Sequence, residues 1–428
     1  MRFGILTQYY PPEMGAPQAR LSELAARFAE RGHQVSVLTA MPNYPAGKIQ
    51  AGYAGLFRRE ICGSVNIMRC WIYPSSSVHL FSRLASYGSF SASSAALGAL
   101  LLPRLDYLLT ESPPLFLGAS GCALARLKGA RWIFNVSDLW PESAVRLGVI
   151  GPGAALRMAE RLEAWCYRKA WLVSGQSRGI LSDIQARFPG VPTYHLSNGA
   201  DPSWFTRGSA RSPWRERLAG PEECLILYAG LHGIAQGLDQ VLEAARRIGG
   251  HVRARFVLAG DGPEKPRLVA LARELGLANV QFLDPVPRAE IPALLHAADI
   301  AVVPLKLALP GAVPSKLYEA MAAGVPVVLV GEGEPAAIVR ETESGIAVDP
   351  GDAAGLEGAL RKLAGDAGFR AECGAHGRRA AAARFDRKRI ADAFIMHLEQ
   401  HLPDHQARES ARAAAPSALE ALDRRGSR

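Results

Sequence analysis

Lys316 and Glu319 lie three residues apart in LPGAVPSKLYEAMAAGVPVVLV (309–330), at the head of a helix-like stretch. Ser315 is placed as the N-cap, so both side chains fall in the first turn and share a face. Aligned peptide dipoles give a helix amino end about half a positive charge, and Lys316 adds a full one. That combination suits a diphosphate, and Glu319 suits a pair of vicinal hydroxyls such as those of a ribose. The competing reading is a surface ion pair on an ordinary helix, worth only about 0.2–0.5 kcal/mol. The Gly- and Pro-containing loop in front of Ser315 favours the ligand.

Three other loops carry candidate groups. In YAGLHGIAQGLDQ (228–240), Gly230, Gly233 and Gly237 crowd a strand end, with His232 and Gln236 between them. The spacing suits a phosphate but is not a dinucleotide fingerprint. In TQYYPPEMGAPQAR, Gly15 precedes a helix and lets backbone N–H groups approach an anion; the alternative is a plain strand-to-helix turn. In NVSDLWPESAVRLG (135–148), Asp138, Trp140, Glu142 and Arg146 cluster after a buried strand. Asp138 either orients or deprotonates an acceptor hydroxyl or caps the helix that begins near Pro141. Asn198 and Asp201, in HLSNGADPSWF, mark a hinge beside the ligand or a simple turn.

The elements that must hold these loops alternate in type. Strand-like runs occur at 2–7, 34–39, 106–110, 131–136, 170–174 and 193–197, with amphipathic helices between them. After a Gly-, Pro- and Ser-rich pause at 197–223, a second set runs at 224–230, 254–260, 279–283, 300–304, 325–330 and 345–349. Alternation of this kind predicts α/β domains with parallel sheets. Ligands in such sheets bind beyond the carboxyl ends of the strands, where all the loops above lie. The chain therefore divides into an N-terminal Rossmann-like domain (1–205), a C-terminal one (206–385), a final helix (386–402) and a tail (403–428) whose composition predicts disorder.

The 428 residues include 49% hydrophobic and 21% charged side chains, enough to bury large cores. Net charge is +9, which fits phosphorylated substrates or an anionic membrane surface. No zinc-finger spacing, RNA-binding signature or long basic run points to nucleic acid. Six scattered cysteines without a C-x-x-C pair read as reduced thiols in a cytoplasmic protein, and no metal is expected. The start, MRFGILTQYYPP, reads as a strand and not as a secretory leader. No run reaches the roughly 18 apolar residues of a spanning helix. The segment FSRLASYGSFSASSAALGALLLPRL (81–105) is apolar and flanked by Arg83 and Arg104. It is either a core helix or one that dips into a membrane surface.

The order of TQYYPPEMG, ERGHQVSVLT, PNYPAGKI, DLWPESAVRLG, SNGADPSWF, YAGLHGIAQGLD, LAGDGPEK and PSKLYEAMAAGVPVV resembles the family 4 retaining glycosyltransferases of the GT-B fold. The resemblance spans about residues 1–400 and is strongest toward bacterial enzymes of O-antigen, capsule and colanic-acid-type polysaccharides, including L-fucosamine transferases. It implies two Rossmann-like domains facing a cleft, with a nucleoside-diphosphate sugar (a UDP-sugar) on the C-terminal one and the acceptor on the other. It also implies a final helix that returns to the N-terminal domain, and retaining transfer without a metal or other cofactor. With the residues singled out above, the expected donor set is Gly15, Gly230, His232, Gly233, Gln236, Ser315, Lys316 and Glu319. Lys316 and Asp138 carry the catalytic roles, and Trp140, Glu142 and Arg146 lie on the acceptor side.

The sequence departs from the family at three positions. Many members carry two glutamates with seven residues between them; Glu319 matches the second, and Gly311 stands at the first. Many carry an arginine and a lysine where Leu231 and Gln236 stand here. The implied acceptor is a polyprenyl-diphosphate-linked glycan, with the protein peripheral on the inner face of the plasma membrane. A GT-B sugar-nucleotide epimerase or hydrolase, and a non-catalytic scaffold of a polysaccharide assembly complex, are the alternative readings.

Overall fold

Short β-branched runs bounded by helices pair into two sheets. The computed structural model describes residues 1–13, 15–44, 46–75, 80–146, 148–206, 212–249, 252–307 and 311–402, and the tail expected to be disordered lies outside them. The first sheet holds β1 (Arg2–Leu6), β2 (Gln34–Ala40), β3 (Phe57–Cys62), β4 (Val65–Cys70), β5 (Tyr107–Ser112), β6 (Arg131–Val136), β7 (Leu172–Gly175) and β8 (Thr193–His195). Its order is β3-β4-β2-β1-β5-β6-β7-β8. The second holds β9 (Cys224–Ala229), β10 (Ala254–Ala259), β11 (Val280–Leu283), β12 (Ile300–Pro304), β13 (Val327–Val330) and β14 (Gly345–Val348), ordered β11-β10-β9-β12-β13-β14.

All neighbours run parallel except β3 and β4, an antiparallel hairpin at one edge. The sequence reading missed this pair. β3 (FRREIC) is exposed along most of its length and lacks the continuous apolar run of a strand buried on both faces. In each sheet the order reverses direction beside the first strand, at β1 and at β9. The loops after β1, β9 and β12 therefore open at topological switch points, where α/β sheets leave a crevice.

The apolar segment forms the helix Leu80–Leu101, which packs by one face. Phe90 and Ser94 are fully buried, and Gly98 lies against Leu38 and Leu124 so tightly that a Cβ there would approach both within 3.0 Å. One face is thus part of the first lobe's core, and Leu100 is left exposed at the end.

The chain passes between the lobes twice, and the two passages are hydrogen-bonded side by side. The Ala200 N–H donates to the Phe385 carbonyl and the Arg387 N–H to the Ala200 carbonyl, each at 3.0 Å. The helix Arg387–Gln400 then buries Phe394, Ile395 and Leu398 in the same core as Phe3 and Phe28 of the first lobe. Arg27 pairs with its Asp392 at 2.7 Å. The two passages approach this closely because residue 199 is glycine: a Cβ there would sit 2.2 Å from the Phe385 carbonyl oxygen. Gly199→Ala is expected to lower stability by about 1–3 kcal/mol, read as a lower urea midpoint; an unchanged midpoint would refute this account.

Candidate functional site

The helix Ser315–Ala323 follows β12 and starts at the crevice. The residue in the N-cap position is Pro314, with extended backbone angles, and no side chain caps the helix. This corrects the assignment of Ser315, which is the first helical residue. The correction leaves the amino end more open than expected, since no hydroxyl occupies its N–H groups. Lys316 and Glu319 are both partly buried.

Lys316 runs back over the loop after β9. Its Nζ lies 5.3 Å from the centre of the Tyr228 ring, and a Cβ built on Gly230 would fall 2.0 Å from its Cε. Gly230 also has a φ of +151°, and it packs on Gly260, where a Cβ would lie 1.9 Å from the Gly230 carbonyl oxygen. The glycines of the YAGLHG and LAGDG loops are therefore needed for two loops and a lysine stem to stack in one place. Burial pushes the Lys316 ammonium below its ordinary pKa, partly offset by Glu319.

Glu319 lies within electrostatic reach of charges from both lobes. Burial raises its carboxyl, opposed by Arg387 first, then Lys316 and Arg288, while Glu23 adds to the rise. No ion pair joins Lys316 to Glu319 among the described residues, so the surface-pair reading fails on geometry. Glu23 instead bridges the lobes: it takes two bonds from Arg387, at 3.0 and 2.9 Å, and one from Arg288. Arg387 is 9% exposed, and its buried Nε and Nη2 lack partners among the described residues. Arg288, Arg387 and Glu23 were not singled out in the sequence, where they look like ordinary helix charges.

The other candidates divide. Gly233 and Gly237 flank a short 3-10 turn, Ile234–Gln236, in the same loop. Gln236 lies against Gly233 with its Oε1 buried and unpartnered. Leu231 is 41% exposed. Gly15 belongs to the other lobe, as the N-cap of the helix Ala16–Glu30. Its backbone is extended and not left-handed, and the Gln18 side chain, not open space, lies over its Cα. Asp138 is partly buried just after β6 and accepts from the Ser143 hydroxyl at 2.8 Å. It thus ties the loop to the helix Glu142–Arg146; burial raises its carboxyl and the Ser143 bond opposes that rise. Trp140 packs on the first lobe's core, its ring centre 6.3 Å from that of Phe116. Glu142 and Arg146 pair with each other at 2.8 Å on the helix surface, a local role the spacing alone explains. Asn198 is buried and accepts from the Gly199 N–H, while Asp201 takes bonds from Ser203 and pairs with Lys388. Both fasten the passage between the lobes.

A deeper seam backs the crevice in the first lobe. Arg20 donates to Glu111, Ser137 and Gln176, and Asn135 donates to Glu111 and accepts from Ser174. Arg20 is 7% and Glu111 2% exposed. A buried pair this well bonded fixes the helix Ala16–Glu30 over the strand ends, and removing one partner would strand a charge.

His232 is fully buried. Burial, reinforced by Lys265, pushes its pKa down to about 4 against weaker pulls from Asp261 and the Ala259 carbonyl. The folded chain thus binds fewer protons than the unfolded one between about pH 4 and the ordinary value near 6.5, and stability falls as pH drops through that window. His232→Leu is expected to flatten the acid-side decline of the melting temperature there; an unchanged decline would refute the assignment.

Comparison with known proteins agrees with this geometry. Residues 15–221 match the Glycosyl transferase 4-like domain and residues 211–380 match Glycosyl transferases group 1. The putative colanic acid biosynthesis glycosyl transferase WcaI of Escherichia coli is 30% identical over 351 residues, 79% of this chain and 86% of that protein. Sucrose-phosphate synthase of Thermosynechococcus elongatus superimposes with a TM-score of 0.77 over 93% of this chain and 98% of that one, at 19% identity. Anabaena HepE in complex with UDP and glucose does so with a TM-score of 0.71 over 94% and 100%, also at 19% identity. Two parallel-sheet lobes, the crevice at their strand ends and these matches together make the chain a member of the group 1, family 4-like glycosyltransferases of the GT-B fold.

Proposed function

We propose that this glycosyltransferase moves a sugar from a UDP-sugar to a polyprenyl-diphosphate-linked glycan, with retention, in the building of a bacterial surface polysaccharide. The observation that carries the reading is the uncapped amino end of Ser315–Ala323, with Lys316 and Glu319 on the crevice side. Dipole and ammonium meet the diphosphate, and Glu319 takes the ribose hydroxyls. The bond from the anomeric carbon to the diphosphate oxygen breaks while the acceptor oxygen bonds to the same face. The acceptor proton passes to the departing diphosphate, so no protein nucleophile and no metal is required. A fixed cation and helix dipole stabilise the charge that develops on the leaving group. HepE, solved with UDP and glucose, and WcaI, named for colanic acid biosynthesis, support the donor and pathway classes.

The acceptor side rests on the first lobe. Asp138 orients the acceptor hydroxyl from the end of β6. Leu56, Ile61, Trp71 and Tyr73 are exposed around the β3–β4 hairpin, beside Arg58 and Arg59. The Trp71 N–H bonds to the Leu56 carbonyl, so the two side chains sit on neighbouring chain segments. Aromatic and basic groups together suit an anionic membrane surface, which supports a peripheral position on the cytoplasmic face of the plasma membrane. Among the described residues no helix is long and apolar enough to cross a membrane.

Charge-assisted hydrogen bonds contribute about 1.5–3 kcal/mol each. Lys316→Ala is therefore expected to cut turnover by about ten- to a hundredfold and to weaken UDP binding by calorimetry; near-normal kinetics would sink the diphosphate clamp. Asp138→Asn should lower transfer while leaving UDP affinity intact. Vesicles containing anionic lipid should carry the protein on flotation at low salt and release it at high salt; protein that stays behind at low salt would remove the membrane from the proposal.

A further inference from the structure

The place where the family's first glutamate is expected holds Gly311, and the structure shows what lies against it. Gly311 has a φ of +70°, and a Cβ there would lie 2.5 Å from Ile180 Cγ1, 2.6 Å from the Ile180 nitrogen and 2.9 Å from Ser177 Oγ. Gly179 is equally close in the other direction: its Cβ would fall 2.9 Å from the Gly311 Cα. Residues 177–180 begin the first-lobe helix Arg178–Arg187, so the loop before Ser315 rests directly on the amino end of a helix from the opposite lobe.

That amino end is held by both lobes. Ser177 accepts from the Ile180 N–H, as an ordinary N-cap does. The Arg178 and Gly179 N–H groups donate instead to the two oxygens of Glu334, at 3.1 and 2.7 Å. Glu334 opens the second-lobe helix Glu334–Thr342, after β13. A carboxylate on a helix amino end is favoured by both hydrogen bonding and the dipole. These bonds can form only at one separation of the lobes, because donor and acceptor backbones belong to different sheets.

We propose that Glu334 is the latch that sets the closed angle between the lobes, and that glycine at 311 serves this closure, not contact with the donor. Glu334 is thus a positioning residue: it brings the acceptor lobe over the uncapped end of Ser315–Ala323. A side chain at 311 would wedge the Ile180 backbone away and break both N–H bonds. The departure from the family at 311 and the bond at 334 then have one cause, a lobe contact too tight for any Cβ.

The geometric claim is tested without substrate, and the turnover arm alone rests on the transferase reading. Spin labels at Leu127→Cys and Arg273→Cys, both exposed and in different lobes, in a Cys62→Ser background, report the lobe separation by pulsed dipolar spectroscopy. The expected result is a longer or broader distance distribution for Glu334→Ala and for Gly311→Glu, with Glu334→Gln between them and the parent, since one carbonyl oxygen still accepts. In the transferase assay Glu334→Ala should lower kcat about tenfold or more with UDP affinity unchanged, the pattern of a closure defect and not of a lost donor contact. Unaltered distances in both Glu334→Ala and Gly311→Glu would overturn the latch. Altered distances alongside a normal Lys316→Ala enzyme would leave the latch standing and remove the clamp.

Discussion

The central constraint is the placement of a cation and an anion, Lys316 and Glu319, in a crevice without pairing them to each other. Burial penalises both charged forms: it pushes the ammonium down and the carboxyl up. Such an arrangement persists in a fold only when other charges surround it. Here Arg387, Arg288 and Glu23 do so, and two of the three, Glu23 and Arg387, come from outside the second lobe. The lobe interface is thereby part of the site's electrostatics.

Backbone proximity is the second theme. Gly230 lets the Lys316 stem cross a strand end, Gly260 lets two strand-end loops stack, Gly199 lets two passages run side by side, and Gly311 lets a loop rest on a helix from the other lobe. In each case a backbone atom or the functional side chain itself is among the atoms that would collide. These glycines permit close approach, and what they bring close is the crevice and its hinge. The Arg20–Glu111 seam acts alongside them by fixing the helix over the first lobe's strand ends.

Much of the architecture was legible in the sequence because buried parallel strands write themselves as short apolar runs, and helices as apolar stripes between them. All six strands of the second sheet correspond to such runs. The β3–β4 hairpin does not: β3 is an edge strand exposed to solvent, and β4, though buried, interrupts its apolar residues with Asn66 and Arg69. The misplaced cap at Ser315 has a similar origin: a hydroxyl beside a helix start is a common signal, but Pro314 already supplies the extended angles of the N-cap position.

The sequence by itself determined the two alternating domains, the loops that end at strand termini, and the local order Pro-Ser-Lys-x-x-Glu that puts a lysine and a glutamate on one helical turn. These depend on neighbours along the chain, so spacing and residue type suffice. Only the tertiary structure decided that Glu319 looks toward Arg387 and Glu23, that Glu142 and Arg146 satisfy each other, and that Gly311 and Glu334 meet a helix from the opposite lobe. Those contacts join residues far apart in the chain, and their partners are fixed by how two sheets sit against one another, which no periodicity records.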